Sequence, residues 1–140
     1  MLSNVLLAHY SPYRDTRVET DASDGVVAGV ISQLQVDNMW RPVAFFSKTI
    51  TVAEMNYSIY DKELLAVIRA LKEWRSYLIG LQLEEPFTVI TDHRALEYFS
   101  TKRELTLRQV HWANDIADYN LKLTYRPGSA NIVADALSRK

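Results

Sequence analysis

The chain contains no cysteine. That excludes a disulfide framework, a thiolate zinc site and a cysteine nucleophile, and it suits an intracellular protein. No apolar run approaches the roughly 18 residues that a membrane span needs, so no membrane association is expected. Residues 1–7 are too short and lack the basic flank of a secretory signal. There is no internal repeat and no low-complexity stretch. Positive charge is not in excess either: the net charge is −1, which taken alone argues against a nucleic-acid binder. What is present is 140 residues, 48% hydrophobic and 24% charged, enough for one globular domain with a real core.

Residues 1–15 read as a lead-in, a connector from a longer polypeptide, closed by the turn-rich stretch Ser11-Pro12-Tyr13-Arg14-Asp15. His9 lies there without a ligand partner at useful spacing. The domain proper is expected over residues 16–140. A first strand starts at Thr16, with Val18 and Thr20 on one side and Arg17, Glu19 and Asp21 on the other. Asp24-Gly25 is a turn. Residues 26–35 form a long apolar run in which Ala28 and Gly29 suggest close backbone approach or a bulge. After the Asp37-Asn38 turn, residues 41–47 are a third strand, and the three should form an antiparallel meander.

Thr51-Val52-Ala53-Glu54 matches a capping box. The spacing predicts a helix from there to Gly80, ended by a left-handed cap. Tyr60, Leu64, Val67, Leu71, Trp74 and Leu78 form its buried stripe, with Glu63 on the stripe's edge. Asp61 is expected on the exposed face. Glu85-Pro86 breaks the chain, and residues 87–92 alternate as a strand ending in Asp92. A long helix between two strands implies a right-handed crossover to a parallel strand. If that strand lies beside the first, Asp21 and Asp92 sit side by side. A short helix over residues 93–99 follows. A second covers residues 105–119, with Leu107, Val110, Ala113 and Ile116 inward. Residues 121–125 are a fifth strand, Pro127-Gly128 a turn, and Asn131 the N-cap of a last helix carrying Ile132, Val133, Ala136 and Leu137. Asp135 falls in its first turns, where the helix dipole favours an anion. The sum is an α/β domain with a five-stranded mixed sheet.

Asp21, Glu63, Asp92 and Asp135 each stand at an element end or a helix-face edge. Singly, such a carboxylate is more often a turn or cap residue; one sheet topology accounts for all four. Hard oxygen ligands suit Mg²⁺ or Mn²⁺ rather than zinc. Two such ions about 3.5–4 Å apart can drive an in-line phosphoryl displacement. Without these four acids the rest of the chain carries +3, so net charge decides little. The expected chemistry is metal-dependent hydrolysis of a nucleic-acid backbone. Crowded without metal, the acids should repel and at least one should hold a proton.

Seven ordered motifs then carry a resemblance: Thr20-Asp21-Ala22-Ser23; Glu54-x-Asn56-Tyr57-Ser58; Lys62-Glu63-Leu64-Leu65-Ala66; Trp74-Arg75-x-Tyr77-Leu78-x-Gly80; Thr91-Asp92-His93; Tyr125-Arg126-Pro127-Gly128; and Asn131-x-Val133-Ala134-Asp135-Ala136-Leu137-Ser138-Arg139. From about Leu6 to Arg139 the chain resembles the ribonuclease H domain of gypsy-type LTR-retrotransposon Pol polyproteins. The resemblance implies the ribonuclease H fold, with three antiparallel strands, then two parallel ones, and helices on both faces. It implies Mg²⁺-dependent endonucleolytic cleavage of the RNA strand of RNA/DNA hybrids during reverse transcription, by two ions held on Asp21, Glu63, Asp92 and Asp135. It also implies the polymerase domain of the same polyprotein as partner and a cytoplasmic, virus-like-particle setting. Ser23, Asn56, Arg94, Lys102, Arg103 and Arg108 are candidate contacts to the nucleic-acid backbone. Tyr125 stands where cellular and retroviral relatives carry a loop His; a loop role and a core strand position are both open to it. His111 precedes Trp112 where the group often has Arg. His93 is read as a cap of the short helix rather than a ligand, and the three tryptophans as core or hinge aromatics. The same fold also serves as an inert connection module, which is the alternative, and integrases share it.

Overall fold

A computed structural model describes residues 6–102 and 104–126. Asp135, Arg103 and the predicted final helix lie outside the described residues, as do the side chains of His93 and Tyr125.

Three strands open the fold: β1 (Thr16–Ser23), β2 (Val26–Leu34) and β3 (Trp40–Thr49). Asp24 (φ 52°) and Gly25 (φ 77°) turn β1 into β2, and Asn38 (φ 63°) helps turn β2 into β3. Asn and Asp tolerate this left-handed geometry better than other side chains, and Gly adopts it freely. β1 pairs antiparallel with β2 from Thr16↔Gln33 to Ser23↔Val26. The β2–β3 register shifts between Ile31 and Ser32, opposite the stretch that holds Pro42. A proline has no N–H for the ladder, so an irregular rung tolerates it. Gly29 is not the bulge but does mark close approach: a Cβ there would meet Phe46 Cε1 at 2.6 Å.

The helix expected from Thr51 starts later. The capping box exists, with Glu54 N–H donating to Thr51 Oγ1 (3.1 Å) and Thr51 N–H donating to Glu54 Oε1 (2.8 Å). It closes only a 3-10 turn, Glu54–Asn56, because Tyr57 then goes extended. Ser58 is the true N-cap, accepting from Asp61 N–H, and α1 runs Ile59–Glu73. Arg69 reaches back to Glu54 at 2.6 Å and ties the turn to the helix. Trp74 leaves helical geometry and separates α1 from α2 (Arg75–Ile79). Gly80 caps α2 with ordinary right-handed geometry (φ −75°), so the expected left-handed cap is absent. The stripe is buried at Val67, Leu71, Trp74 and Leu78, whereas Tyr60 and Leu64 are half-buried.

β4 (Phe87–Asp92) returns parallel to β1, with rungs Arg17↔Thr88, Val18↔Val89 and Glu19↔Ile90. α3 (His93–Thr101) and α4 (Leu107–Ala117) follow, then β5 (Leu121–Arg126), parallel to β4. The mixed five-stranded sheet has the order β3-β2-β1-β4-β5. Its main core joins Val18, Val27, Ile31 and Val89 to Leu65, Ile68 and Leu71 of α1. Ala28 and Val30, on the alternate positions of β2, form a smaller cluster with Phe45.

Helix α4 differs from expectation. Leu107 and Val110 are exposed, Ala113 is exposed and Ile116 is half-buried; the buried residues are Gln109 and Trp112. Apolar residues alone would turn Leu107 and Val110 inward, but a polar residue, Gln109, holds the interior beside Trp112. Residues 8–15 are tied to the sheet and to the stretch after α2. Gln33, fully buried, receives Ser11 N–H (2.9 Å) and donates to Ser11 O (2.7 Å), while Gln82 N–H donates to Pro12 O (2.7 Å). Among the described residues no helix is long and apolar enough to cross a membrane.

Candidate functional site

The β1–β4 ladder ends at Glu19↔Ile90. Two residues beyond that rung lie Asp21 on β1 and Asp92 at the end of β4, so the strand pairing expected from the sequence sets the two aspartates at neighbouring strand ends. Asp92 is also the N-cap of α3, its Oδ1 accepting Arg94 N–H at 2.8 Å, and the Arg94 Nε lies 3.8 Å from the same oxygen.

Glu63 arrives from α1, which packs on β1, β2 and β4. It is 8% exposed and its Oε2 has no hydrogen-bond partner. Burial pushes its pKa up from 4.5 to about 8, and the Asp21 and Asp92 carboxylates push the same way; Arg94 and the Ala22 N–H pull it down. A carboxyl shifted this far by desolvation and by two neighbouring acids is the kind of group found at functional sites. The donor set is oxygen-only, which fits a hard divalent cation. As the side chains stand, no three His, Asp or Glu among the described residues are drawn close enough to hold a metal ion.

Two hollows are lined by residues close in sequence to the acids, Ala22 and Lys62 in one and Arg94 in the other. One, of about 480 Å³, is lined by Ser23, Gly25, Met55, Ile59 and Lys62 among others. The other, of about 400 Å³, is lined by Tyr60, Arg94, Glu97, Tyr98 and Thr101. Tyr60 and Tyr98 stack with centroids 4.2 Å apart. Lys102 Nζ donates to the Tyr98 hydroxyl at 3.0 Å and lies 5.1 Å from the ring centroid.

The other candidates fall as follows. Ser23 is at the hairpin turn, its Oγ 3.4 Å from Asp24 Oδ2. Asn56 is exposed at the end of the 3-10 turn. The side chain of Arg94 is 74% exposed, beside Asp92. Arg108, its side chain still 39% exposed, turns to Asp61: its guanidinium bonds Asp61 Oδ2 at 2.6 Å and covers the Tyr57 ring at 3.8 Å. Asp61, expected on the exposed face, is 4% exposed. The sequence reading missed this partnership and missed Gln109. Thr106-Leu107-Arg108-Gln109 is itself a capping-box pattern, formed in full at α4, so one signal was available.

A five-stranded mixed sheet in this order, with a crossover helix bringing a buried acid to the ends of its two central parallel strands, defines a ribonuclease H-like domain. Solved ribonuclease H structures share the fold. LC11-RNase H1, solved in complex with an RNA/DNA hybrid, superposes with a TM-score of 0.63 over 88% of this chain and 93% of its own, at 18% identity. Prototype foamy virus protease-reverse transcriptase gives 0.70 over 91% of this chain and 17% of its own, at 15% identity. The family model for the RNase H-like domain found in reverse transcriptase matches residues 11–119, and the chain belongs to that family. It is 41% identical over 141 residues to the Transposon Tf2-3 polyprotein of Schizosaccharomyces pombe, as it is to the Tf2-4 polyprotein, covering 99% of this chain. It spans 10% of the length of those polyproteins.

Proposed function

We propose that this domain hydrolyses the RNA strand of RNA/DNA hybrids during reverse transcription, as part of a gypsy-type LTR-retrotransposon polyprotein. The observation that carries the reading is Glu63: a buried carboxyl with an unpartnered oxygen, held under the influence of two aspartates from adjacent strand ends. A structural module gains nothing from burying such a group, because an unsatisfied buried polar atom costs roughly 1–3 kcal/mol.

Asp21, Glu63 and Asp92 would hold divalent cations, with Asp135 as the fourth acid. Bound Mg²⁺, or Mn²⁺, would supply activation of water and neutralisation of charge at the phosphorus. The chain's own part is to set the acids. β1 and β4 carry Asp21 and Asp92 two residues past their last shared rung. α1 carries Glu63 and shields it from water. The α3 N-terminus fixes Asp92 through Arg94 N–H. The two hollows give a backbone room on either side, with Ser23 and Asn56 near one and Arg94 and Lys102 near the other. Discrimination of RNA from DNA would rest on hybrid shape and 2′-hydroxyl contacts.

The test is a labelled RNA/DNA hybrid with Mg²⁺, beside duplex DNA. Cutting confined to the RNA strand of the hybrid is expected. If an intact hybrid survives under conditions where Mg²⁺ measurably binds, the inert connection-module reading replaces this one.

Phosphate contacts dominate nucleic-acid affinity, and Arg108 is already engaged with Asp61. The lone domain should therefore bind hybrid weakly and gain affinity when joined to its polymerase domain. Titrating hybrid against each form checks this; tight, salt-resistant binding by the lone domain would contradict it.

A further inference from the structure

We propose that Asp61, Arg108 and Gln109 form a positioning lock that sets the rotation and height of the first turns of α1, and through them the placement of Glu63. The inference rests on the reading of Glu63 as a cation ligand. A carboxylate as buried as Asp61 is expensive unless paired. Both of its oxygens are taken: Oδ2 accepts from Arg108 at 2.6 Å and Oδ1 from Gln109 Nε2 at 2.8 Å. Gln109 closes the α4 capping box as well, its Oε1 accepting Thr106 N–H at 3.0 Å and its own N–H donating to Thr106 Oγ1 at 3.2 Å. Asp61 N–H donates to Ser58 Oγ at 3.1 Å. The bonds thus run unbroken from the N-cap of α4 to the N-cap of α1. Aromatic contacts close the cluster: the Arg108 guanidinium covers Tyr57, and Tyr57 meets Trp112 edge-on with centroids 6.0 Å apart.

Stability is a poor account of such a cluster, since taking the Asp61 carboxylate out of water offsets much of what its half-exposed partner Arg108 returns; specifying one arrangement is the better-attested use of a buried charge. The helix geometry says which arrangement. At 3.6 residues per turn, Asp61 and Glu63 project about 200° apart around α1. Asp61 faces α4 and Glu63 faces the strand ends. A rotation of α1 that freed one would swing the other, so clamping Asp61 aims Glu63.

Two variants test the lock, Asp61→Asn and Arg108→Met, with Arg108→Lys as the conservative rescue. Each is followed by kcat and KM for hybrid cleavage, by the rise in Tm that Mg²⁺ produces, and by amide exchange in residues 59–64. The lock requires kcat to fall about tenfold or more, as expected when a reacting group is displaced by a fraction of an ångström. KM for hybrid should hold, the Mg²⁺-induced rise in Tm should shrink and exchange in the first turns should quicken. Arg108→Lys should recover part of each. An unchanged kcat with raised KM and a flatter salt dependence would make Arg108 a phosphate contact and overturn the lock. So would parental behaviour, or loss of the fold in all three variants, which would make the cluster a stability element only. Glu63→Gln separates the two levels: if it kept the full Mg²⁺-induced rise in Tm, the cation-ligand reading of Glu63 would fail first.

Discussion

Replacing Asp92 with Asn is expected to slow hybrid cleavage on the order of 10³-fold while the domain stays folded. On the proposed reading of Asp92 as a cation ligand, the size follows from losing several kcal/mol in the transition state, each 1.36 kcal/mol being a factor of ten. The preserved fold follows from the other role of the residue. Asp92 is the N-cap of α3, accepting Arg94 N–H through Oδ1. Asn has the same shape, keeps an oxygen for that bond and is as good an N-cap as Asp. The exposed pairing with Arg94 at 3.8 Å is screened by water, and its loss costs little. The substitution also removes one of the two charges that raise the Glu63 pKa. Cleavage kinetics beside a thermal melt in chelator check the pair of outcomes. Cleavage at the parental rate would remove Asp92 from the chemistry.

Metal-free, the domain should lose stability as pH rises from about 5 to about 8, and Glu63→Gln should flatten that decline. The folded pKa of Glu63 is raised from 4.5 to about 8. Between those values the native state holds a proton that the unfolded chain has released, so the slope of stability with pH is negative. The contribution is complete below about 4.5 and gone once pH passes 8. For a side chain this buried, a shift of that size corresponds to a few kcal/mol. Gln mimics the neutral acid without its titration and should leave the metal-free domain more stable than the parent at pH 8. On the proposed reading Mg²⁺ should reverse the trend, because a cation held by the ionised form would stabilise the folded state. Denaturant unfolding at several pH values, in chelator and then in Mg²⁺, measures each slope. A parent curve flat from pH 5 to 8 in chelator would mean that Glu63 is ionised and solvated there.

Much of the fold was legible because local rules dictate it. The hairpin turns at Asp24-Gly25 and Asn38 carry residues that accept positive φ. The strands showed in their alternation. The parallel return of β4 beside β1 followed from handedness once a helix was placed between two strands. The same handedness sets Asp21 and Asp92 on neighbouring strands, each two residues past the last β1–β4 rung. Glu63 was legible as a charged residue at the edge of an apolar stripe, which a solvated side chain would avoid. The errors lie where two local signals competed or where a partner was distant. Thr51 and Glu54 form the box that the sequence advertises, yet extended Tyr57 hands the helix start to Ser58. Leu107 and Val110 looked like the buried face of α4, but Gln109 and Trp112 hold it.

The sequence by itself determined the strands, the turns and the crossover, and it offered the acids as candidates, since spacing, turn chemistry and handedness act over a few residues or through topology alone. Only the tertiary structure decided which charges meet and which of them is buried. Asp61 and Arg108 are 47 residues apart, and nothing at either end announces the other. Whether a carboxylate faces water, a cation or a guanidinium depends on what the rest of the chain brings within a few ångströms, because the cost of burying it is large and only a partner in space can offset it.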